Sequence, residues 1–474
     1  MTMTRLLISA AHKSSGKTTV STGLCAALRK RGHLVQPFKK GPDYIDPLWL
    51  GHAAGRPCVN LDFHTQSREE ILESTGRYAR GADITLIEGN KGLFDGVDLE
   101  GTNSNAALAR LLNVPVVLVV DCRGVTRGIA PLLLGYQAFD REISIDGVIL
   151  NRVGGARHES KLRAVVEHYT DVPVLGALQE NPELQIVERH LGLVPSNEHD
   201  DADIQIDRLA EAVAGQVDLD RIIGLGTDRS PPQATVAAQI SPSGARVRIA
   251  VARDTAFAFY YHTDLEALES AGAELRFFDT MKDARIPDAD ALFIGGGFPE
   301  SHLEALESNR PMRRAILQAI EAGMPAYAEC GGLMYLSRSI RWQGRRHEMV
   351  GAIAGDITMH ARPQGRGYVY LEGTREHPWP GACAHDASGT PPIPAHEFHY
   401  SALEPMDPPP AYAYRVVRGH GVDGHHDGIV CRNLLASYSH QRHTRSNPWV
   451  THFVAFIRSC MDRSTHGAGH SIAP

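Results

Sequence analysis

Six short apolar runs, separated by helix-length segments, constrain the fold of the first part of this chain more than any other feature. They are LLISA (6–10), HLVQPF (33–38), ITLIEG (84–89), VPVVLVVD (114–121), IDGVILN (145–151) and PVLGAL (173–178). Continuous Val, Ile and Leu runs of this length are typical of parallel strands buried on both faces. We therefore predict an α/β fold whose N-terminal domain is a doubly wound parallel sheet.

The first apolar run leads directly into a candidate phosphate-binding loop, AAHKSSGKTTVSTGL (10–24). The usual pattern begins with glycine, where this chain has Ala11, but its closing residues are in place. A loop between a strand and a helix presents backbone N–H groups to phosphates, while its lysine reaches the β and γ phosphates and its hydroxyl holds Mg²⁺. A plain Ser/Gly turn is the alternative. We expect ATP with Mg²⁺ to contact Ser15, Gly16, Lys17, Thr18 and Thr19.

Charged residues at the ends of neighbouring runs add to this expectation. ITLIEG ends with a carboxylate at Glu88, at the sheet edge where a metal-bound phosphate would lie. FKKGPDYIDP (38–47) holds lysines and aspartates between turn-forming residues, and EGNKGLFDGVD places Asp95 among three glycines. An exposed, solvated turn is the alternative for 38–47. Asn151 could hydrogen-bond a base edge, although asparagine at a strand end is more often a turn residue.

The sequence changes character in its middle. Residues 215–245 are rich in Gly, Pro and Ser, and VRIAVARD (247–254) then begins a second series of strands. We predict an ATP-binding domain at 1–214, a linker at 215–245, a second α/β domain at 246–463 and a disordered tail at 464–474. The Pro/Gly-rich segment 377–397 is predicted to be a long surface excursion.

The second domain contains a candidate nucleophile. AYAECGGLMYL (326–336) places Cys330 between an apolar strand and a helical start, the geometry of a nucleophile elbow. ALFIGGGFPE (291–300) ends a strand with three glycines whose N–H groups could stabilise an oxyanion. LLASYSHQRH (434–443) offers His440 as the base. The predicted catalytic pair is Cys330 and His440, and the predicted oxyanion donors are Gly296, Gly297 and Gly331.

These motifs together resemble a known family. GGG-FPE, A-x-C-G-G and S-Y-x-H resemble class I glutamine amidotransferase domains. SSGKTT, F-K-x-G-P-D-Y-I-D-P, G-R-P-x-x-N-L-D (55–62) and E-G-x-x-G-L-F-D-G (88–96) are similar to cobyrinate a,c-diamide synthases. The resemblance covers nearly the whole chain. It implies an ATP-dependent carbon–nitrogen ligase that takes ammonia from L-glutamine and amidates two acetate carboxylates of a modified tetrapyrrole, through acyl phosphates.

The resemblance also implies roles for individual residues. Lys17 and Thr18 match the residues for phosphate and Mg²⁺, and Cys330 and His440 match the glutaminase pair. The loop that orients substrate and metal is matched by Lys40, Asp43, Tyr44 and Asp46. The acidic ligands are matched by Glu88 and Asp95, which gives a predicted metal set of Thr18, Asp46, Glu88 and Asp95. The stretch H-E-F-H-Y-S, His396 to Ser401, also belongs to the family pattern.

Several positions depart from the family pattern. Arg442 stands where class I amidotransferases usually carry an acid, which suggests a Cys–His dyad. Where the family usually has S-Y-x-H-L-H-F, this chain has SYSHQRH, and where the family has E-G-V-M-G, this chain has EGNKG. A short S-T-A stretch of the family is replaced by GTNSNAALA (101–109). These changes lie in loops expected to face the substrate. Two macrocycles therefore remain as candidate substrates, cobyrinate and the sirohaem or sirohydrochlorin type.

Two rival functions are weighed against this interpretation. An ATP-driven switch of the partition type shares the deviant loop, but it usually carries a lysine where this chain has His12, and it would not need Cys330. A pseudo-amidotransferase that binds glutamine without hydrolysing it would not need both Cys330 and His440.

The composition also limits the classes of molecule that this chain is expected to bind. A formal charge of −7 gives no basic field for nucleic acid, and the seven cysteines are scattered without C-x-x-C pairs. The histidines that cluster between 377 and 443 lack zinc-site spacing, so we expect solvated loop histidines. No apolar run reaches the length of a membrane span. We expect a cytoplasmic enzyme without nucleic-acid or membrane partners, and a homodimer is compatible with it.

Overall fold

The computed structural model describes residues 3–189, 192–198, 201–226, 244–382 and 391–467. The chain divides into two compact units, Met1–Ala237 and Ala238–Pro474. The strands of the first unit are β1 (Thr4–Ala10), β2 (Val35–Lys40), β3 (Val59–Leu61), β4 (Ile84–Glu88), β5 (Val116–Asp121), β6 (Ile145–Val153), β7 (Val174–Gln179), β8 (Glu188–Arg189) and β9 (Gly192–Leu193). Its helices are α1 (Lys17–Lys30), α2 (Ile45–Ala54), α3 (Arg68–Tyr78), α4 (Asn105–Leu112), α5 (Ile129–Phe139), α6 (Ala156–Tyr169), α7 (Ala202–Gln216) and α8 (Leu219–Gly224).

The core of the first unit is one parallel sheet of seven strands in the order β3-β2-β4-β1-β5-β6-β7. Every residue of β1, β2 and β4 is buried, as expected for a sheet covered by helices on both faces. The order reverses on the two sides of β1, so the loops after β1, β2 and β4 meet at the carboxyl edge where such sheets bind ligands. The predicted doubly wound α/β fold is confirmed.

The C-terminal part of the first unit differs from the predicted boundary at residue 214. Helix α7 continues to Gln216, and the following short helix α8 packs Leu219 and Ile222 into the hydrophobic core of the same unit. The first residues of the predicted linker 215–245 are therefore helical, because this stretch still contributes apolar side chains to the core. Residues 227–243 of that predicted linker lie outside the described residues.

The second unit is also α/β. Its helices are α9 (His262–Ser270), α10 (Leu303–Ser308), α11 (Arg310–Glu321), α12 (Gly331–Leu336) and α13 (Trp449–Gly467). Its strands are β10 (Val247–Ala252), β11 (Phe257–Phe259), β12 (Ala273–Phe278), β13 (Ala291–Ile294), β14 (Gly296–Gly297), β15 (Ala326–Glu329), β16 (Ser337–Trp342), β17 (Arg345–Glu348), β18 (Ile353–Met359), β19 (Gly365–Gly373), β20 (Ile393–His399), β21 (Ser401–Leu403), β22 (Ala411–Arg418), β23 (His426–Cys431) and β24 (Leu434–Ser437).

A mixed sheet of nine strands forms the centre of this unit, in the order β12-β10-β13-β15-β24-β23-β22-β19-β20. Its first five strands run parallel, and the rest pair antiparallel. Strands β15 and β24 are parallel neighbours, with Glu329 opposite Ser437. Residues that follow these two strands therefore emerge at the same sheet edge. A second sheet has the order β17-β16-β18-β21.

The prediction that residues 377–397 form a long surface loop was wrong at both ends of that segment. Trp379 is buried in an aromatic cluster with Tyr327, Trp449 and Phe453, and residues from Ile393 onward form β20 at the edge of the central sheet. Proline and glycine obscured these apolar contacts in the sequence. Residues 383–390 lie outside the described residues.

The C-terminus also differs from its predicted form. Helix α13 continues to Gly467, so the first residues of the predicted tail at 464–474 are helical, and residues 468–474 lie outside the described residues. Among the helices that the structure describes, none is long and apolar enough to cross a membrane.

Candidate functional site

The phosphate loop of the first unit lies between β1 and α1 and is held by the end of β6. Gly16 has a left-handed backbone, with φ of 86°, and a Cβ at this position would lie 2.2 Å from Nδ2 of Asn151. Asn151 donates a hydrogen bond to the Ser15 carbonyl at 2.8 Å, and Arg152 donates one to the Ser14 carbonyl at 2.8 Å. The structure thus places Asn151 in contact with the loop.

Two predicted nucleotide-binding side chains extend from this loop towards β4. Lys17 Nζ donates to the Lys91 carbonyl at 2.6 Å, and Thr18 Oγ1 donates to Oε1 of Glu88 at 3.1 Å. Burial, assisted by the charge of Lys39, lowers the pKa of Lys17 to about 8. The Ser15 hydroxyl faces inward and donates to the His12 carbonyl at 2.8 Å, and Thr19 follows within α1.

A buried ionic cluster lies beside Thr18. Lys39 Nζ is 2.6 Å from Oε1 of Glu88, 2.5 Å from Oδ2 of Asp46 and 3.8 Å from Oδ2 of Asp43. Burial alone would lower the pKa of Lys39, but Asp46 and Glu88 raise it well above its ordinary value. Lys39 is therefore a charged ammonium group inside the protein. The sequence placed Lys39 only among the charged residues of 38–47, although a lysine directly after the apolar run HLVQPF was a usable signal for a paired, buried role.

The same cluster fits a Mg²⁺ ion bound together with phosphates. Oε2 of Glu88 is completely buried and has no hydrogen-bond partner, while Thr18 and Asp46 lie around the same carboxylate. Among the described residues no group of three or more His, Cys, Asp or Glu side chains forms a metal cage by itself. Mg²⁺ is usually held by one or two carboxylates plus substrate phosphates, and Asp46 and Glu88 offer two carboxylates beside Thr18.

The other acidic ligand predicted for the metal has a structural contact. Oδ2 of Asp95 accepts a hydrogen bond from the Gly92 N–H at 2.8 Å, within the loop after β4. Its charge acts on Lys17, where it opposes the lowering of the pKa by burial. Asn105 supports the same loop by donating to the carbonyls of Asn90 and Gly92.

The loop after β2 carries the predicted substrate-orienting residues. Oδ1 of Asp43 accepts hydrogen bonds from the N–H groups of Ile45 and Asp46, at 2.9 and 3.0 Å, and so caps the start of α2. Burial, together with Asp46, raises the pKa of Asp43 to about 7. Lys40 Nζ donates to Oδ1 of Asn90 at 2.9 Å, and Tyr44 is buried.

Cys330 in the second unit forms the predicted elbow. It follows β15, precedes α12 and has an unusual backbone conformation for a residue with a side chain, with φ of 46° and ψ of −102°. Its N–H donates to the Ser437 carbonyl at 2.7 Å, and its carbonyl accepts from Met334 at 3.1 Å. The backbone strain places the thiol at the start of a helix, where a thiolate is stabilised.

His440 lies beside Cys330 because β24 and β15 are adjacent parallel strands. The Cys330 thiol is an immediate electrostatic neighbour of the imidazole. Burial alone would lower the pKa of the imidazole, but Cys330 first and then Glu329 raise it to about 10. The backbones of His440 and His396 exchange hydrogen bonds, and their imidazole rings stack with the ring centroids 4.9 Å apart. The structure thus brings the predicted nucleophile and base together.

The predicted oxyanion glycines lie against this pair. A Cβ on Gly296 would be 2.5 Å from Cε1 of His440, and a Cβ on Gly331 would be 2.9 Å from the Gly297 carbonyl. Glycine at 296 thus allows close approach of the backbone to the imidazole, and glycine at 331 allows close approach to the backbone of Gly297. The role of their N–H groups as oxyanion donors stays a prediction.

One acidic residue beside the pair was missed. Oε2 of Glu329 is 3.6 Å from Nδ1 of His440, at ion-pair distance, and both side chains are buried. The expected dyad was based on Arg442 in the usual acidic position, whereas the carboxylate here comes from the residue before the nucleophile. A glutamate that ends a buried apolar strand was the available signal.

The late histidines have separate surroundings. His377 contacts Tyr414, His399 stacks on Tyr438 and His426 stacks on Tyr412. His377, His396, His399 and His440 are buried. The expectation of solvated loop histidines was therefore wrong for His377, His396 and His399, which pack against aromatic rings, whereas His440 was predicted as the catalytic base.

Two family models match the chain, one in each unit. Residues 4–187 match an AAA domain, and residues 248–448 match the CobB/CobQ-like glutamine amidotransferase domain. The first match contains the phosphate loop and the Lys39 cluster, and the second contains Cys330, Glu329 and His440.

Relatives named cobyrinate a,c-diamide synthase align with nearly the whole chain. The protein of Magnetococcus marinus is 46% identical over 460 residues, which is 96% of this chain and 97% of the relative. The protein of Methanosarcina acetivorans is 41% identical over 92% of each chain. The protein of Archaeoglobus fulgidus is 41% identical over 93% of this chain and 94% of the relative.

Proposed function

Because the chain belongs to the cobyrinate a,c-diamide synthase family, we propose that it amidates the a and c acetate carboxylates of a modified tetrapyrrole, using ATP and L-glutamine. The observation that carries this proposal is the presence, in one chain, of a P-loop site and of a Cys330–His440 pair at the ends of two adjacent parallel strands. A carboxylate does not react with ammonia until its oxygen becomes a leaving group. ATP supplies that leaving group, and glutamine supplies the ammonia.

Ammonia is released in the second unit. The Cys330 thiolate attacks the side-chain amide carbon of glutamine, and the negative charge that develops on oxygen lies towards the loops of Gly296, Gly297 and Gly331. His440, held as an imidazolium, gives its proton to the departing ammonia, which leaves a thioester on Cys330. Water then cleaves the thioester to glutamate, with His440 taking the proton back.

Activation of the carboxylate takes place in the first unit. Lys17 holds the β and γ phosphates, and the loop N–H groups from Ser15 to Thr19 align the nucleotide. A substrate carboxylate oxygen attacks the γ phosphorus, ADP leaves, and an acyl phosphate forms. Thr18, Asp46 and Glu88 would hold Mg²⁺, which neutralises phosphate charge when bound. Ammonia then displaces phosphate from the acyl carbon to give the amide.

Lys40 and its neighbours are placed to orient the carboxylate. Lys40 is held by Asn90, in the EGNKG segment that departs from the family pattern. The names of the relatives favour cobyrinate as substrate. A sirohaem-type macrocycle is the second candidate substrate. The observation that favours testing it is the Lys40–Asn90 contact, because family members usually have another residue at position 90.

The test compares nitrogen donors with the purified protein. Amidation of the macrocycle should require ATP and Mg²⁺, and should proceed with glutamine or with ammonium salt. ATP cleavage that is stimulated by neither macrocycle would support the rival ATP-driven switch. Glutamine binding without release of glutamate would support the pseudo-amidotransferase.

A further inference from the structure

A buried carboxylate faces the imidazole of His440 from an unexpected position. Glu329 immediately precedes the nucleophile, and its Oε2 is 3.6 Å from Nδ1 of His440. The position two residues after His440, where class I amidotransferases usually carry an acid, holds Arg442 in this chain. Catalytic hydrogen bonds are often long in a structure without substrate and tighten in the complex. The distance therefore suits a carboxylate that orients the imidazole.

The other oxygen of Glu329 is firmly held. Oε1 accepts a hydrogen bond from the Tyr327 hydroxyl at 2.6 Å and another from the Gln441 N–H at 2.9 Å. The residue is only 4% exposed. Two donors on Oε1 fix the plane of the carboxylate and direct Oε2 towards His440.

Gln441 extends this support through its side chain. Its Nε2 donates to the hydroxyls of Tyr327 at 3.2 Å and of Tyr414 at 2.8 Å, and its Oε1 accepts from Nδ2 of Asn447 at 3.1 Å. The family pattern S-Y-x-H-L-H-F usually has leucine at this position. A leucine would keep the backbone N–H contact to Glu329 but would lose the side-chain bonds.

We propose that Glu329 is the positioning residue of the glutaminase pair, with Oε2 binding the Nδ1–H of His440 and Gln441 securing Oε1. This proposal rests on the glutaminase half of the proposed function. The carboxylate fixes the tautomer with Nε2 towards Cys330 and favours the imidazolium that protonates the departing ammonia. The groups that face His440 are the Cys330 thiol, the Glu329 carboxylate and the stacked His396 ring.

The test variant is Glu329→Gln, which keeps an acceptor for Tyr327 and Gln441 but removes the charge. Its new amide N–H would face Nδ1 and favour the neutral, wrong tautomer. We expect release of glutamate from glutamine to slow on the order of 10²-fold, the lower end of the range for a lost acid–base arrangement. Because the imidazolium loses its stabilising charge, the alkaline limb of kcat/KM should move to lower pH by about 1 to 3 units.

Two further variants make the test specific. Glu404→Gln removes a glutamate of the same unit that pairs with Arg341 on the second sheet, and it should leave both rate and pH profile unchanged. Gln441→Leu should shift the alkaline limb in the same direction as Glu329→Gln, by less. If thermal unfolding shows that Glu329→Gln does not fold, the shift of the alkaline limb in Gln441→Leu decides whether the positioning role holds.

The outcomes separate this inference from the proposed function. Wild-type protein that releases no glutamate from glutamine would overturn the proposed function and this inference with it. Active wild-type protein whose alkaline limb is unchanged in the folded Glu329→Gln variant would overturn only the positioning role, even if the rate falls. A shifted limb with normal ammonium-dependent amidation supports the proposal.

Discussion

Lys39 Nζ lies 2.6 Å from Oε1 of Glu88 in the interior of the first unit, so a lysine supplies positive charge at the site where Mg²⁺ is expected. Replacing Lys39 with methionine leaves Glu88 and Asp46 buried without their cation. Breaking a buried ion pair in this way costs about 3–5 kcal/mol. We expect the free energy of unfolding, measured with denaturant, to fall by that amount and to recover partly when Mg²⁺ is added.

The matched control for this prediction is Lys30→Met. Lys30 pairs with Asp207 at 2.8 Å, but both side chains are about half exposed or more, at 47% and 60%. Exposed pairs contribute about 0–1 kcal/mol, so this variant should be nearly as stable as the wild type. Equal stability of the two variants would contradict the structural importance of Lys39.

The phosphate loop offers a second matched pair of variants. Gly16 and Gly32 both have left-handed backbones, but a Cβ on Gly16 would strike Asn151 whereas a Cβ on Gly32 meets nothing within 4 Å. Both alanine variants carry the backbone cost of about 1–2 kcal/mol. Only Gly16→Ala should also displace the loop, so ATP affinity measured by calorimetry should fall strongly in Gly16→Ala and stay normal in Gly32→Ala. Equal affinities would contradict the close packing against Asn151.

The separation of the two chemical steps is tested by Cys330→Ser. A serine hydroxyl is a much weaker nucleophile beside His440, so glutamine-dependent amidation should be abolished while ammonium-dependent amidation continues. Lys17→Ala is the reciprocal variant and should lose amidation with both nitrogen donors. Loss of both activities in Cys330→Ser, with the protein folded, would contradict the assignment of ammonia release to this cysteine.

A buried histidine predicts acid sensitivity of the second unit. Nδ1 of His377 accepts from the Trp379 N–H at 3.1 Å and Nε2 contacts the Tyr414 hydroxyl, an arrangement that requires the neutral ring. Burial, with a contribution from His452, lowers the pKa of His377 from 6.5 to about 3. Between these values the unfolded chain binds the proton and the folded chain does not. Stability should therefore fall as the pH falls from 6.5 towards 3, by up to about 1.4 kcal/mol per pH unit.

The check on this prediction is the pH dependence of thermal unfolding. His377→Gln should show a smaller loss between pH 7 and pH 5 than the wild type. His425→Gln, which changes an exposed histidine of the same unit, should keep the wild-type dependence. A wild-type slope in His377→Gln would mean that other groups govern the acid response.

The sequence predicted the parts of the fold that depend on local patterns. The apolar runs located all the strands of the first sheet except β3, which has only three residues, and the glycine-rich turns located the elbow of Cys330. The sequence did not predict the contacts between residues that are far apart in the chain. Lys39 and Glu329 act through partners on other strands, and nothing in their own neighbourhoods specifies which strands become adjacent.

The ends of two predicted segments, the linker and the surface loop, differ from the structure for a related reason. Proline and glycine in 377–397 indicated a surface loop, but Trp379 is buried by residues from two distant segments, β15 and α13. The same applies to α8, whose core contacts come from earlier parts of the first unit. Local composition describes the backbone preference of a segment and does not reveal which surface will cover it.

The measurement that tests the central claim most directly is the mass of the macrocycle after incubation with ATP, Mg²⁺ and glutamine, run in parallel with cobyrinate-type and sirohaem-type substrates. Each amidation replaces one hydroxyl group by an amino group, so the substrate mass should fall in two equal steps as ATP is consumed. We expect these two steps with the cobyrinate-type substrate. Unchanged masses for both macrocycles, in the presence of active glutaminase and bound ATP, would contradict the proposed function.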